Sequence, residues 1–475
     1  MAFLERNANR GSISTAAYEI DNSLKLDSVN SEYLYIHRDA SGSDWNRLLW
    51  TASMWVKHIP TENSTTAPKE RMFGAADAQS DFDIRFRGQP IGFRNNSDVD
   101  GVAELRTEAY YRDPSAWYHV VAVWDTANGT AGNRMRLYIN GEEVTNFSTD
   151  TQPAQNEKST WGKKNDGSDG NVAHTIGAYY NASSGFAQGF NGYMAEIHWV
   201  EGAALAPTEF GEFDSASGIW KPKEAAVTYG TNGFYLNFDD SSALGADSSG
   251  NSNNWNLNNI AAADQATDTP TNNFCTLNPL YALTYPSAIR EGGTKSLALD
   301  TVSQWQSAKG SMAVNNGKWY WEHSGFTEMN TFIGIQSADA NTTYGVPYSW
   351  NLPLNDNQFY IVDPNARTEG FSTSKATSDV WAIALNMDDG QISFYRNGTQ
   401  QNSTVSIDGL IGNGPYVAII SQYASATNAS TNFGGYNSGK AISSAATDEN
   451  DYGTFEYAPP SGYYSLCSKN LAEYG

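Results

Sequence analysis

Two stretches far apart in the chain carry the same device. One reads W-Y-H-V-V-A-V-W-D from Trp117 and is followed by R-M-R-L-Y-I-N-G-E-E; the other, from Asp379, reads D-V-W-A-I-A-L-N-M-D-D-G-Q-I-S-F-Y-R-N-G. Each is an alternating apolar strand, a polar turn, a second alternating strand and then Asn-Gly. Because Asn and Gly both tolerate positive φ, that dipeptide is a strong short-range hairpin signal. The repeated device predicts an all-β fold of two antiparallel β-sandwich (jelly-roll) domains in series. A chain of 475 residues exceeds what one hydrophobic core organises, and both halves are long enough to bury a core of their own. No long window repeats apolar residues at helical spacing, so helix is expected to be minor.

Charge excludes several partners. The chain holds 29 basic against 52 acidic residues, a net charge of −23, and no run of Lys and Arg appears along it. Nucleic-acid binding needs basic residues that displace counterions from phosphates, so no nucleic acid is expected as a partner. Membrane insertion is not expected either, since no apolar run is long enough for a spanning helix. The start, M-A-F-L-E-R-N, lacks the basic and then apolar regions of a signal peptide. A polar but weakly ionised surface without an export signal fits a protein released by lysis in a particle.

Residues 1–18 are polar and Gly/Ser-punctuated and read as an arm or anchor. Alternating runs then follow at Ser23–Leu26, 33–36, 50–57, 71–73, 82–86, 117–124, Met135–Ile139, 174–178, 194–199 and 234–238, with a polar tract at 148–171 read as a long surface loop. The wording D-N-S-L-K-L-D, W-T-A-S-M-W-V-K, W-Y-H-V-V-A-V-W-D, R-L-Y-I-N-G-E-E-V, F-N-G-Y-M-A-E-I-H-W-V and L-A-P-T-E-F resembles concanavalin A-like jelly rolls of the laminin-G/pentraxin type, over residues 19–240. That resemblance implies a sandwich used for carbohydrate binding or adhesion and, in distant relatives, for glycan cleavage.

The stretch F-D-D-S-S-A-L-G-A-D-S-S-G-N from Phe238 leads into residues 241–275, which read as a linker. Asp239, Asp240, Asp247 and Asn251 offer hard oxygen ligands at short spacing, which makes calcium a candidate cofactor; an Asx-stabilised turn without an ion is the competing reading. Beyond this, residues 276–475 contain G-K-W-Y-W-E, T-F-I-G-I-Q, the Asp379 hairpin, G-P-Y-V-A-I-I-S and N-F-G, which resemble a SPRY domain in order and spacing. The resemblance implies an interaction module without catalytic residues. Tyr344, Tyr348 and Trp350, in a loop rich in Pro, Gly and Asn, are its candidate ligand-binding residues. Cys275 and Cys467 bracket this domain, and a disulfide between them is one expectation, two buried thiols the other.

An enzyme is not expected. Sandwich glycanases set two carboxylates about 5 Å apart across a groove, and no Glu-x-Asp-x-Glu run occurs here. Asp81 and Asp83 share one strand face but lack a partner glutamate. The histidines His37, His58, His119, His174, His198 and His323 form no zinc motif. His119 reads as a hydrogen-bonded sandwich residue and not as a base.

The polar arm, the laminin-G-like sandwich, the D-S-S-G-N connector and the SPRY-like sandwich together resemble structural proteins of tailed bacteriophages, marine ones in particular. The expected role is a virion appendage, a tail fibre or similar, that binds a host-surface glycan and joins other virion proteins through its arm. A homo-oligomer, taken as a trimer, is expected. The alternative is a passive capsid decoration or head fibre without receptor binding; a polysaccharide depolymerase through Asp81 and Asp83 ranks last. Aromatic rings stack on sugars while amides and carboxylates bond hydroxyls, so Trp161, Tyr179 and Tyr180 are the candidate ligand-binding residues of the first domain.

Overall fold

The computed structural model describes residues 18–37, 44–60, 69–77, 80–97, 101–164, 172–181, 185–299, 303–340, 349–354, 358–362, 367–370, 375–401, 405–406, 414–423 and 427–475. The chain divides into two compact units, meeting at Thr271 and Asn272. Both are antiparallel β structures, and one α-helix, Ser468–Tyr474, occurs among the described residues. The repeated Asn-Gly does what its backbone preference dictates: Asn140 and Gly141 take φ of 51° and 84°, and Asn397 and Gly398 take 48° and 76°, each pair closing a hairpin.

In the N-terminal unit the strands are β1 (Ser23–Leu26), β2 (Tyr33–His37), β3 (Leu49–His58), β4 (Lys69–Ala76), β5 (Asp81–Arg87), β6 (Ile91–Ser97), β7 (Gly101–Thr107), β8 (Trp117–Asp125), β9 (Met135–Ile139), β10 (Glu142–Glu143), β11 (Phe147–Thr151), β12 (Ala173–Ile176), β13 (Tyr179–Asn181), β14 (Gly185–Ala187), β15 (Gly192–Glu201), β16 (Gly211–Phe213), β17 (Trp220–Pro222), β18 (Phe234–Leu236), β19 (Asn256–Asn258) and β20 (Gln265–Ala266). One sheet runs β10-β9-β8-β3-β15-β1-β20 with β18 beside β15; the second runs β11-β7-β6-β5-β4-β12-β2-β19. Their facing sides enclose a core in which Trp50, Trp124, Trp161 and Trp199 are buried with Phe73, Phe82, Phe93 and Phe234.

The first sheet is covered on both sides. Val120, Ala122 and Trp124 of β8 turn into the sandwich, whereas Val121 and Val123 pack with Tyr138, Val200 and Phe210 beneath the segment that follows β15. This explains why β8 is apolar at nearly every position. His119 lies on that second side: Trp220 Nε1 donates to its Nδ1 at 3.0 Å, and its Nε2 meets Ser53 Oγ at 2.8 Å. It is a bonded sandwich histidine, as its sequence context suggests.

Two expectations are corrected, and two strands were not foreseen. The polar tract 148–171 is not one surface loop, because Phe147–Thr151 pairs with β7 and Trp161 enters the core; 165–171 lie outside the described residues. β6 and β7 escaped the sequence reading because their outward positions are polar and few apolar residues alternate between them. Most of 241–275 is part of the N-terminal unit and not a linker: Leu244 and Trp255 are buried in its core, β19 pairs with β2, and β20 pairs with β1. Buried Asp268 locks this segment in place, accepting from Lys57 Nζ at 2.6 Å and Trp117 Nε1 at 3.0 Å. Of the arm, only Tyr18 is described; its hydroxyl donates to Glu196 at 3.0 Å.

In the C-terminal unit, a seven-stranded sheet and a second sheet centred on Lys318–Ser324 carry the core. Trp319 and Trp321 are buried, as are Ile383, Leu385, Ile392 and Phe394. Phe274 bridges Cys467, so Cys275, one residue on, points to the opposite side. The thiols are free and buried, the second of the two readings; burial raises that of Cys467 to about 11.

Burial, with a smaller effect of His198, lowers the His119 pKa to about 3, against 6.5 unperturbed. Between those values the unfolded chain takes up a proton that the fold refuses, so this contribution to stability is full at neutral pH and lost on acidification. His119→Gln is expected to flatten the decline in unfolding free energy from pH 7 to pH 4, read by denaturant titration; an unchanged slope contradicts the assignment.

Candidate functional site

The site of interest lies on the second sheet, on the side turned away from the core. Along β2 the register sends Leu34 inward and leaves Tyr33, Tyr35 and His37 in a row on the other face. The hairpin β13–β14 folds over this row. Phe186 stacks on Tyr33 with centroids 4.2 Å apart, Tyr180 meets Phe186 at 4.8 Å and His37 at 6.1 Å, and on the hairpin's other side Tyr179 lies 4.0 Å over the Arg71 guanidinium.

Local chemistry fixes the hairpin. Gly177 enters it with φ of 83°. Thr175 Oγ1 meets Ala178 O at 2.6 Å and Gly74 O at 3.0 Å, and a Cβ at Gly74 would lie only 2.7 Å from Ala178 O. Glycine at 74 is therefore what lets the hairpin backbone settle against β4.

Between the hairpin, the β1–β2 turn and the start of β4 is a cavity of about 480 Å³, lined by Ser28, Ser31, Glu32, Tyr33, Lys69, Glu70, Phe186 and Gln188 among others. Its carboxylates are held rigidly. Glu32 accepts from Lys25 Nζ at 2.8 and 2.9 Å, from the Asp27 amide at 2.8 Å and from Asn30 Nδ2 at 3.0 Å; Lys25 also bridges Asp264 at 2.8 Å. Burial nevertheless pushes Glu32 up to about 7, with Lys25 pulling the other way. Glu70 pairs with His58 and accepts from Asn191 Nδ2 at 2.9 Å. Stacking rings beside fixed acceptors, amides and hydroxyls are the means by which proteins hold a polyhydroxylated ring.

The aligned strands beside this cavity carry Asp81 and Asp83. Asp83 Oδ2 is held by Arg71 at 3.0 Å and Arg85 at 2.6 Å, while Asp81 pairs with Arg94 and accepts from Asn96 Nδ2 at 2.9 Å. Arg71 reaches this face through a β-bulge: the register passes from Arg71 opposite Arg85 to Phe73 opposite Ile84, so that Arg71 points out and Phe73 in.

Of the sequence candidates, Tyr179 and Tyr180 are brought to this site. Trp161 is not: it is 1% exposed and packs against Phe73 and Trp255, so its ring has no free face for a sugar. Tyr344 and Tyr348 lie outside the described residues, and Trp350 is described only as part of Ser349–Pro353, opposite Ile335 and Ile361. Tyr33, Tyr35, His37 and Phe186 were missed, although Y-L-Y-I-H already displays rings at every second position.

The proposed calcium ligands do not fit an ion. Both Asp247 oxygens are occupied, by the amides of Tyr235, Ser249 and Asn253 at 2.8–2.9 Å and by Ser249 Oγ at 2.9 Å. Asn251 Nδ2 donates to the carbonyls of Gly230 and Gly233, Asp240 caps Ser242, and Asp239 is bonded by Asn237. No group of three or more His, Cys, Asp or Glu suited to a metal occurs among the described residues.

Residues 30–209 match the family model of the concanavalin A-like lectin/glucanases superfamily. The N-terminal unit thus has a lectin-like fold, compatible with carbohydrate binding. Among solved structures the chain is similar to the SPRY domain of human HERC1 (16% identity, 33% of this chain and 96% of that one, TM-score 0.27) and to the TRIM65 PSpry domain (13%, 33% and 88%, 0.28). It is also similar to a heptameric SAP-like pentraxin from Limulus polyphemus (14%, 40% and 80%, 0.27). No curated protein matches the chain.

Asp247→Ala should destabilise the N-terminal unit by roughly 1–3 kcal/mol, since it strands several amide donors, and by the same amount with calcium or with chelator. A loss seen only when calcium is present would restore the metal reading.

Proposed function

We propose that the N-terminal unit is a glycan-binding module and that the protein serves as a virion appendage, a tail fibre or similar, that contacts a host-surface polysaccharide. The observation that carries this reading is the row Tyr33, Tyr35 and His37, extended by Phe186 and Tyr180, beside a cavity of about 480 Å³ with fixed carboxylates and hydroxyls. Placement in a virion rests on the polar, weakly ionised composition and on the resemblance of the whole chain to tailed-phage structural proteins. Assembly with other virion proteins is assigned to residues 1–18, and a homotrimer would multiply the affinity of each weak sugar contact.

Binding and not cleavage is the proposed role. Asp81 and Asp83 face arginine partners, and the nearby Glu104 is bound to the same Arg85 as Asp83, so these carboxylates serve ion pairs. Glycan cleavage instead needs two carboxylates placed on either side of the scissile bond.

Purified protein should bind host-surface polysaccharide and compete with infection, and Phe186→Ala or Tyr180→Ala should each weaken binding by roughly tenfold, the loss of one stacking partner. No reducing ends should appear on incubation with that polysaccharide. Fixed stoichiometry in the particle with no affinity for any host glycan would instead support passive decoration.

A further inference from the structure

The outward side of β4, β5, β6 and β7 has a charge balance opposite to that of the chain. The registers place Lys69, Arg71, Arg85, Arg87, Arg94 and Arg106 there against Asp81, Asp83 and Glu104, six cations to three carboxylates, in a protein of net charge −23. Two like-charge pairs sit directly opposite each other, Lys69 with Arg87 and Arg71 with Arg85. Such cross-strand pairs are destabilising, and both lie in the run of register that ends at the bulge at Met72. These are not edge strands guarding against aggregation but the middle of the sheet.

The carboxylates do not neutralise the cations. Asp83 Oδ2 serves both Arg71 and Arg85, and Glu104 Oε1 serves both Arg85 at 3.5 Å and Arg87 at 3.8 Å. Among the described residues, Arg71 Nε and Nη1, Arg85 Nε and Arg87 Nε are buried without an acceptor, and Asp83 Oδ1 is buried without a donor. Arg71 and Arg85 are 3% exposed and act as fixed charge beneath the surface; Arg87, 30% exposed, and the exposed Lys69 carry that charge to solvent. Lys69 is held below its ordinary pKa by burial and then by Arg85, Arg71 and Arg87, as expected where cations outnumber their partners. Lys69 also lines the cavity beneath Phe186.

We propose that this arginine-lined face is the anion subsite of the glycan site, so that the module selects a polysaccharide bearing sulfate esters or uronate groups over a neutral one. The inference rests on the glycan-binding reading and narrows its ligand. An oxyanion supplies acceptors to the surplus cations, while rings on the adjoining hairpin take the sugar faces. Elsewhere the acidic surface repels such a chain, which orients it toward this one face.

The test uses the full-length protein and four probes in calorimetric titration: a sulfated galactan, its desulfated counterpart, a polyuronate and single-stranded DNA. The expected result is tighter binding of the sulfated galactan or the polyuronate than of the desulfated chain, by about tenfold or more, weakening as salt rises; which of the two binds identifies the anion. Arg87→Gln, at a solvent-reached side chain outside the cavity lining, should remove about fivefold of the affinity for the charged chain and leave the desulfated chain unaffected, with unchanged melting temperature; Lys69→Gln should weaken the charged chain by about the same factor. Equal binding of sulfated and desulfated chains, or charge variants without effect, overturns the anion subsite while leaving glycan binding intact. Binding of none of the polysaccharides overturns the glycan reading with it. DNA bound as tightly as the best polysaccharide overturns the proposal by showing charge without sugar recognition.

Discussion

Everything in the N-terminal unit depends on the burial of large aromatic rings between two sheets. Trp50, Trp124 and Trp199 descend from the first sheet and meet Phe73, Phe82 and Phe93 of the second, with Trp161 and Trp255 inserted from connecting segments. Rings of this size bury 150–250 Å² each, and a sheet anchored so firmly on one side can tolerate unfavourable chemistry on the other. The outward side of β4–β7 does so with opposed cations, a bulge and a surplus of charge.

The hairpin β13–β14 joins the two parts of that outward side. Tyr179 covers Arg71, while Tyr180 and Phe186 extend the row on β2. The aromatic and charged halves are therefore positioned by one element, which is in turn seated by Gly74 and Thr175. The sandwich supplies rigidity, and a short excursion from it carries the rings of the proposed glycan site.

Period-two patterning in the sequence disclosed the all-β class, the repeated hairpin and most strands of the first sheet, because Trp and Val at successive positions of β3, β8 and β15 leave little else for those segments to do. It did not disclose β6, β7 or β11, whose outward residues are polar, nor the return of 241–271 to the first sheet pair, since Asn256–Asn258 and Gln265–Ala266 are too short and too polar to announce a strand. Trp161 was misread for a related reason: a tryptophan in a polar tract resembles a loop contact until the chain's return path is known. Tyr179 and Tyr180 were named from the sequence and lie on the β13–β14 hairpin, but Arg71 was not named, because only the register shift at Met72 turns it outward. In the Asp-rich turn the named carboxylates take amides and hydroxyls of the turn itself and, at Asp247, the Tyr235 amide of β18.

Residue-level footprinting of the protein with and without host-surface polysaccharide tests the central claim most directly, through hydroxyl-radical labelling of aromatic side chains and amide hydrogen exchange. Protection concentrated on Tyr35, His37, Tyr180 and Phe186 and on the strands β2, β4, β13 and β14 is the result this account predicts. Protection confined to the C-terminal unit, or no protection at a polysaccharide concentration that saturates binding, would contradict it.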